Sequence, residues 1–339
     1  MKLEISAIQK EELSLLMQEE AFKEGWSYSQ EDVDFYYLCP QNFIYAVKVN
    51  QNLAGCVILH KSSSNLHRKP VFSAGFFLVL NEYRGQKTVG PYLWHHAITQ
   101  HISEDSVVCF HAVPRAVDFY ERLNFKKTAL VDLYLTLKKE QLNDESMEVI
   151  SQLFDNETLK KYSKNTQVDI EKYNNKLFPG DSGRGVREFV QQWLKRPDAI
   201  VIAYYRENNL QGYGVVTICK QASEKISYRI SPLYADTGEV AEAILKGLIK
   251  TISEKPFAHI ELNTLATSET EFGHLLTEVG FSESGKNIVV CNKPDLISKE
   301  LPILQHIFCS IPLEYPHEVV SGLLDSRGPA SSLYGKDSL

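Results

Sequence analysis

The sequence predicts an α/β protein of two tandem domains, each a mixed, mostly antiparallel sheet flanked by helices. The chain has 339 residues, enough for two hydrophobic cores, and its apolar fraction of 43% is ordinary for a globular protein. In the first half, apolar runs of strand length alternate with stripes of helical spacing, and the same succession restarts near Gln167. Repetition at a domain-sized period indicates two domains rather than a solenoid. We predict a first domain over 1–138, a helical linker over 139–166, a second domain over 167–320 and a flexible tail over 321–339.

The first half follows the order β-α-α-β-β-β-turn-α-β-α-β. Its helices carry apolar residues three and four positions apart, whereas its strands are short apolar or alternating runs bounded by polar turns. Ser29 has the side chain of a helix N-cap, and Pro114 suits a first helical position. The predicted strands are 3–8, 43–49, 53–59, 71–80, 106–113 and 128–137; the predicted helices are 11–22, one that begins after Ser29, 90–101 and 115–123; and 60–69 is a predicted loop.

The second half repeats this architecture with a different sequence. Its predicted helices are 186–194, 239–252 and 269–279, and its predicted strands are 199–205, 212–219, 228–234, 259–265 and 286–291. Between the halves, apolar residues at helical spacing predict that the linker is a helix. These residues are Met147, Ile150, Leu153 and Leu159.

Charge and composition argue against some classes of function. Asp plus Glu number 43 against 36 for Lys plus Arg, a net charge of −7, so no basic face for nucleic acid is predicted. The apolar runs are shorter than the roughly 18 residues that a membrane span requires. The six cysteines are scattered and form no CxxC pair, which favours reduced, buried thiols, and the charged residues after Met1 do not resemble a signal peptide. We expect a cytoplasmic protein that binds neither nucleic acid nor membrane.

The segment from Gly75 to Trp94 has the pattern of an anion site. An apolar strand, Phe76–Leu80, is followed by a polar turn that carries Arg84, and a helix begins near Gly90. The first N–H groups of a helix have no intrahelical partner, and the helix dipole favours negative charge there. We therefore predict that a pyrophosphate binds at this turn.

Three motifs, together with the order of the elements, resemble the GNAT acyltransferase superfamily. The turn Arg84–Gly90 is similar to the pyrophosphate loop of that family, R/Q-x-x-G-x-G/A. The segment Tyr120–Phe125 is similar to its penultimate helix, which carries a Tyr followed by a Gly-Phe pair. The motif Glu24-Gly25-Trp26 precedes a helix with two Asp residues, and it narrows the resemblance to the tandem-GNAT family typified by YitH and HolE.

The sequence departs from the family pattern at three places. Lys87 and Thr88 stand in the region of the central loop glycine, so the loop is one residue longer. Asn124 stands where the glycine of the Gly-Phe pair is usual. Val113 stands where many members place an Asn that contacts the cofactor.

The resemblance implies acetyl-CoA as cofactor and transfer of an acetyl group to an amine of a small molecule or peptide. It implies Tyr120 as the acid that protonates the leaving thiolate, and it places His111 where relatives carry an Asp, so that His111 becomes the candidate base. Trp26 and Tyr28 are candidates for the wall of the acceptor pocket. The predicted cofactor-binding residues are Leu78, Val79 and Leu80, whose backbone N–H groups would meet the thioester carbonyl, together with Arg84, Gly85, Gln86, Lys87, Thr88, Val89 and Gly90.

Each of these assignments has an alternative. The whole protein could be a non-catalytic acyl-CoA-binding or protein-interaction module on a degenerate GNAT fold. Tyr120 could be an ordinary core residue of an amphipathic helix, and His111 could be a hydrogen-bonded residue at a strand end. Glu82 is a second candidate base, and Trp26 and Tyr28 could pack under the first helices.

The second half shows fewer functional signals. The segment Tyr228–Asp236 resembles the I-G-P-L-Y-A-D of the second domain of the family, with Ser231 for the glycine, and Ile311–Pro316 resembles the family's ending. Because no Arg-Gly loop follows, we expect this domain to be degenerate.

Two further patterns are not assigned a function. The loop Gly180–Gly185 lacks the Gly-Lys-Ser/Thr end of a phosphate loop, so we interpret Asp181 or Ser182 as a helix cap. The helix that contains His95, His96 and His101 lacks HExxH spacing, and no metal site is predicted.

Overall fold

Strands from both halves of the chain lie in one sheet. The computed structural model describes residues 2–61, 70–85, 88–151, 159–180, 184–222, 225–265, 270–296 and 307–309. The strands are β1 Leu3–Ala7, β2 Asn42–Val49, β3 Asn52–Lys61, β4 Val71–Val79, β5 Val107–Ala112, β6 Lys126–Lys138, β7 Leu159–Lys161, β8 Ile200–Arg206, β9 Asn209–Ala222, β10 Lys225–Ala235, β11 Phe257–Thr264, β12 Ser282–Cys291 and β13 Ile307–Cys309.

The helices lie on both faces of this sheet. They are α1 Lys10–Ser14, α2 Ala21–Lys23, α3 Gln30–Leu38, α4 Val89–His101, α5 Val117–Glu121, α6 Asp144–Ser151, α7 Lys164–Leu177, α8 Arg184–Leu194, α9 Gly238–Ser253 and α10 Glu271–Val279. A π-helical segment, Leu15–Glu20, joins α1 to α2, and short 3₁₀ helices occur at Asn81–Tyr83, Pro114–Ala116, Lys139–Gln141 and Pro294–Leu296.

The two halves exchange strands in the middle of the sheet. The order is β1-β2-β3-β4-β5-β12-β6-β11-β10-β9-β8-β7, and β13 pairs with β10. Strand β12 of the second half lies between β5 and β6, and β6 of the first half lies between β12 and β11. The pairs β4–β5 and β10–β11 are parallel, whereas the others are antiparallel. The mixed, mostly antiparallel fold class is confirmed, but the fusion of two sheets into one was not predicted.

The core continues from one half to the other on one face of the sheet. Apolar residues of α1–α3 share a buried cluster with residues of α7 and α8. Phe35 of α3 lies edge-on to Phe189 and Trp193 of α8, with ring centroids 4.8 and 4.9 Å apart. Helices α4, α5, α9 and α10 cover the opposite face in separate clusters. The first face thus joins the N-terminal helices to the second half.

Most predicted elements are present, and three details differ. Leu159 lies in strand β7, which pairs with β8, so its assignment to the linker helix was wrong. Helix α7, Lys164–Leu177, begins inside the predicted linker, and its Ser163 N-cap had not been noted. His60 belongs to β3 rather than to a loop. The domain boundaries at 138 and 166 stay predictions, and residues 310–339, including Ile311–Pro316, lie outside the described residues.

Local backbone geometry explains one departure from the family pattern. Asn124 has a φ of +66°, and the matching residue of the second half, Gly280, has a φ of +103°. Asn124 lies in the turn after α5, Gly280 is the C-cap of α10, and each is followed by a buried phenylalanine, Phe125 or Phe281. Asn tolerates the left-handed region better than most residues, so it can replace glycine here.

Candidate active site

A cavity of about 950 Å³ opens where β4 and β5 part. The two strands pair only from Val71 with Val107 to Ser73 with Cys109. Beyond that point β4 keeps its pairing with β3 on one edge and faces the cavity with the other. The cavity is lined by Glu24, Trp26, Tyr28, Gly75, Phe77, Leu78, Val79, Tyr83, Arg84, Gly85, Gly90, Pro91, His111, Val113, Arg115, Ala116, Phe119, Tyr120, Arg122, Leu123, Tyr134 and Asn287.

A bulge in β4 produces this separation. Phe77 is opposite Val57 and Ala74 is opposite Leu59, so β4 contains one more residue than β3 over this stretch. After the bulge, Gly55 of β3 lies so close to β4 that a Cβ atom would come within 2.3 Å of the Leu78 carbonyl oxygen. The sequence therefore needs glycine at position 55 to keep the bent strand attached to the sheet.

The backbone N–H of Val79 faces the cavity edge of β4. The N–H of Leu80 donates to the Ala54 carbonyl at 2.8 Å, so Leu80 and Leu78, which lies two residues earlier, point their N–H groups towards β3. The Val79 carbonyl accepts from Nε of Arg84 at 2.7 Å, on the opposite edge. The N–H of Val79 points to the same edge as its carbonyl. The prediction that the N–H groups of Leu78 and Leu80 face the thioester carbonyl was wrong. For the N–H of Val79 it stays a prediction.

The beginning of α4 provides further donors. Its N-cap, Thr88, makes no side-chain cap, and the first hydrogen bond within the helix runs from Tyr92 N–H to the Thr88 carbonyl at 2.9 Å. The N–H groups of Val89 and Gly90 precede that bond, and Pro91 has no N–H. The predicted residues Gln86 and Lys87 lie outside the described residues. Gly85 has a φ of +74°, which favours glycine where the turn leads to the helix.

Arginines surround the mouth of the cavity. Arg84 forms an ion pair with Glu24, with Nη1 and Oε1 2.7 Å apart, and Arg115 contacts the other oxygen of the same carboxylate. Burial by itself would raise the pKa of Glu24, but the hydrogen bonds from both arginines hold it below its usual value. Arg122 also lines the cavity. Three arginines against one carboxylate leave a positive mouth, in which Arg84 is already paired with Glu24.

Tyr120 lies in α5 with its ring held among aromatic neighbours. Its centroid is 4.5 Å from that of Phe110 and 5.1 Å from that of Trp94, both at steep angles. The residue is 6% exposed and also lines the cavity. Tyr120 can therefore be a packed core residue and a candidate proton donor at the same time. Burial raises the pKa of Tyr120 above its ordinary value, which keeps the hydroxyl protonated at neutral pH.

His111 of β5 meets a carboxyl group that the sequence analysis missed. Its Nδ1 lies 3.3 Å from Oδ2 of Asp132 on β6, and the Asp132 side chain is fully buried. Burial lowers the pKa of His111 to about 3 and raises the pKa of Asp132 to about 8, because each charge alone is disfavoured away from water. Asn263 donates to Oδ2 of Asp132 at 3.0 Å, whereas Oδ1 has no hydrogen-bond partner among the described residues. The two side chains form a buried acid–base pair.

Side chains from the exchanged strands complete the floor of the cavity. Asn287 of β12 lies opposite Asp132 in the antiparallel register, and Asn263 of β11 lies opposite Tyr134 of β6. Burial raises the pKa of Tyr134 to about 12, and the neighbouring amides of Asn263 and Asn287 offset only part of this rise. Asp132 had a sequence signal, since an acid within the apolar strand Leu130–Leu133 is unusual. Asn287 had none, because its place depends on the strand exchange.

Trp26 and Tyr28 form the wall opposite this floor. Both line the cavity, and both lie edge-on to Phe76, with centroids 6.0 and 5.6 Å apart. Trp26 and Tyr28 therefore pack against the core and line the cavity at the same time. The loop between them is held by the second half, because Arg229 donates to the Ser27 carbonyl.

A buried ion-pair network supports this loop. Asp32 of α3 lies 2.6 Å from Nη1 of Arg196 and 3.4 Å from Nη1 of Arg229, and Arg229 also pairs with Glu261 at 2.7 Å. Cys219 and His259 lie near Glu261, with ligand atoms within 4.8 Å of one another, a spacing that could suit a metal. Since Glu261 already forms an ion pair with Arg229, we assign it to the network.

Other candidates from the sequence lie elsewhere. Glu82 is exposed on the 3₁₀ turn and is not among the residues that line the cavity. His101 accepts or donates a 2.5 Å hydrogen bond with the Tyr45 hydroxyl and stacks on Phe43. Gly185 is buried in α8, and Asp181 and Ser182 lie outside the described residues. None of the helices in the described part of the chain combines the length and apolar character needed to span a membrane.

Family models match both halves of the chain. The Acetyltransferase (GNAT) family model matches residues 12–125, and the Acetyltransferase (GNAT) domain model matches residues 170–299. An uncharacterized protein of Caenorhabditis elegans is 26% identical over 196 residues, which is 58% of this chain and 58% of that relative. The chain thus matches little more than half the length of that protein.

Solved structures share the fold at low sequence identity. A tandem GNAT protein from the clavulanic acid biosynthesis pathway is 12% identical, with a TM-score of 0.63 over 86% of this chain and 98% of that one. A GCN5-related N-acetyltransferase from Sphaerobacter thermophilus is 12% identical, with a TM-score of 0.56 over 85% and 95%. Saccharomyces cerevisiae N-myristoyltransferase with bound myristoyl-CoA is 12% identical, with a TM-score of 0.58 over 85% and 78%.

Proposed function

Since the chain belongs to the GNAT acetyltransferase superfamily, with one GNAT domain in each half, we propose that it is an acetyl-CoA-dependent N-acetyltransferase whose reaction takes place in the N-terminal cavity. The observation that carries the proposal is the convergence of three features on one cavity. These are an uncapped helix N-terminus, the buried hydroxyl of Tyr120 and the acid–base pair of His111 and Asp132. Each supplies one requirement of acyl transfer from a thioester to an amine.

The mouth of the cavity suits a cofactor with phosphate groups. The N–H groups of Val89 and Gly90 would bind a pyrophosphate, and Arg84, Arg115 and Arg122 would add positive charge. The free edge of β4 would bind an extended amide-containing arm. Such a cofactor supplies an acyl group activated as a thioester, and everything else in the reaction is done by side chains and backbone of this chain.

Acyl transfer from a thioester to an amine requires two proton transfers and the stabilisation of one negatively charged oxygen, and residues of this chain provide all three. The N–H of Val79 donates to the oxygen that becomes negative when the amine attacks the acyl carbonyl, a contribution worth several kcal/mol when the donor is fixed in advance. The pair of His111 and Asp132 accepts the proton that the amine loses. Tyr120 gives its hydroxyl proton to the departing thiolate and is then reprotonated from solvent.

The acceptor would enter between the aromatic wall and the polar floor. Trp26 and Tyr28 offer apolar surface, while Tyr134 and Asn287 offer hydrogen-bonding groups. We propose a primary amine of a small molecule or peptide as the acceptor. The second half would hold the acceptor wall through Arg229 and contribute Asn287 directly, in a protein that we expect to be cytoplasmic, with the domain boundaries given above.

The test combines turnover with binding. The purified chain is incubated with acetyl-CoA and a panel of primary amines, and release of free CoA is followed with a thiol reagent, while calorimetry measures CoA affinity. Amine-dependent thiol release is expected. CoA binding without turnover on any amine would favour the non-catalytic acyl-CoA-binding module, and absence of CoA binding would contradict both.

A further inference from the structure

The two halves of the chain carry the same bulge at corresponding strands. In β4, Ala74 and Phe77 face Leu59 and Val57, so one residue is extra around positions 75–76. In β10, Ile230 and Leu233 face Val216 and Gly214, so one residue is extra around positions 231–232. Strand β10 is therefore the counterpart of β4.

In both halves the parallel neighbour stops pairing at the bulge. The register of β5 with β4 ends at Ser73 and Cys109, and the register of β11 with β10 ends at Ile230 and Leu262. The opposite edge remains paired in both halves, with β3 along β4 and with β9 along β10. Each half thus has one strand edge released after its bulge.

The two released strand edges differ in what lies beside them. In the N-terminal half this edge borders the cavity. In the C-terminal half it is occupied by β13, with Leu233 opposite Cys309 and Tyr234 opposite Ile307. Because β9 covers the other edge of β10, β13 must lie on the side that faces β11, and it contacts β11 as well. Ile307 is 4% exposed and Cys309 is fully buried, so the strand is packed into the gap.

The N-terminus of α9, the helix that follows β10, also disfavours the binding of an anion. The hydroxyl of Thr237 accepts from the N–H of Val240, whereas α4 has no side-chain cap. Asp236 places a carboxylate beside this helix start, where it accepts a hydrogen bond from Tyr173 and pairs with Lys176 at 3.6 Å. A negative group and a filled cap both disfavour a phosphate.

We propose that β13 is an internal plug that takes, in the C-terminal half, the place of the cofactor arm, so that the chain binds one acyl-CoA only. This inference rests on the proposed function, because it takes the N-terminal cavity as the acyl-CoA site. The C-terminal half then keeps the GNAT architecture without its cofactor site. The C-terminal half affects the reaction through those of its side chains that line or support the N-terminal cavity.

The first test counts binding sites. Calorimetric titration of the full chain with CoA is expected to give one site, and hydrogen–deuterium exchange is expected to show protection around residues 77–92 and none around residues 231–241. Two sites per chain, or protection around 231–241, would overturn the inference while leaving the chemistry of the N-terminal half untouched.

The second test does not depend on CoA. Leu233→Cys creates a thiol opposite Cys309, and mild oxidation is expected to link the two, as seen by peptide mapping. The mapping separates this link from any between Cys109 and Cys291, whose sulfur atoms lie 2.7 Å apart. The control variant combines Leu233→Cys with Cys309→Ser and must not form the link.

The two tests together separate the two proposals. Failure of Leu233→Cys to link to Cys309 would overturn the position of β13 and the inference with it. A link together with an absence of CoA binding would support the closed C-terminal gap and contradict the proposed function. A link together with one protected site would support both.

Discussion

Nδ1 of His111 lies 3.3 Å from Oδ2 of Asp132, although the two residues belong to strands that are not neighbours in the sheet. Strand β12 of the second half runs between them, with Val289 opposite His111 and Asn287 opposite Asp132. A strand of the second half thus lies between the two strands of the first half that carry the acid–base pair.

The pH dependence of the Asp132→Asn variant tests the role of this pair. With pKa values of about 3 for His111 and about 8 for Asp132, the pair holds one proton between these limits and none above about pH 8. The wild-type kcat/KM should therefore rise as the pH increases through 8. Asp132→Asn should lose this rise and be about 100-fold slower at pH 9. The ratio of the two rates with one acceptor cancels the ionisation of the amine itself.

The pH dependence of the free energy of unfolding provides a second test of the Asp132→Asn variant. The pKa of Asp132 is higher in the folded than in the unfolded chain, so its contribution to stability is complete below about pH 4 and is lost as the pH rises through 8. His111 has a lowered pKa, and its contribution is lost only as the pH falls below about 6.5. Between pH 6.5 and 8, urea unfolding should show the wild type losing about 1–2 kcal/mol relative to Asp132→Asn. Parallel curves would contradict the raised pKa.

Tyr120→Phe tests the proton donor. The variant keeps the ring that contacts Phe110 and Trp94 but removes the hydroxyl, so folding and cofactor affinity should stay nearly unchanged. Turnover should fall about 100-fold, the usual loss for a general acid. Steady-state kinetics and calorimetry with CoA measure the two effects.

The control for this variant is Tyr92→Phe, which removes a hydroxyl from an exposed position of α4 that does not line the cavity. It should behave as wild type. Wild-type turnover in Tyr120→Phe would remove Tyr120 from the mechanism.

The elements of this site were largely predictable, whereas their assembly was not. The strand before Arg84, the turn and helix α4 follow from local patterns of apolar residues and of polar and glycine turn residues. Strand pairing between distant segments has no comparable local signal, because the neighbours of β6 and β12 are set by contacts between residues far apart in the sequence. The pairing of Asp132 with His111, the position of Asn287 and the plug β13 therefore follow only from the structure.

Arg84→Ala tests the mouth of the cavity. Loss of a charged hydrogen-bond donor should weaken CoA binding by roughly 1.5–3 kcal/mol in calorimetry. Glu24→Gln should have the opposite sign, because it releases Arg84 and Arg115 from the carboxylate that they now share. Arg206→Ala removes an arginine paired with Glu239 in the second half and should leave CoA affinity unchanged. Equal affinity in Arg84→Ala and wild type would exclude this arginine as a cofactor anchor.

Asn287→Ala tests whether the second half contributes to the acceptor pocket. The amide of Asn287 lines the cavity floor beside Tyr134, so the loss of this hydrogen-bonding group should raise KM for the amine about 10-fold. Affinity for CoA should not change. Glu283→Ala, an exposed substitution on the same strand, is the matched control. An unchanged KM in Asn287→Ala would mean that the acceptor does not reach β12.

Arg229→Met tests the ion-pair network that joins the halves. Removing the guanidinium leaves the buried carboxylate of Asp32 and the partly buried carboxylate of Glu261 without one of their partners, and breaking a buried pair costs about 3–5 kcal/mol. Urea unfolding measures this loss, and the exposed pair of Arg206 provides the control, since Arg206→Ala should change stability little. Because Arg229 also donates to the Ser27 carbonyl, the loop that carries Trp26 and Tyr28 should loosen. KM for the amine should then rise more than the Kd for CoA, whereas an equal rise in both would indicate general destabilisation rather than loss of the acceptor wall.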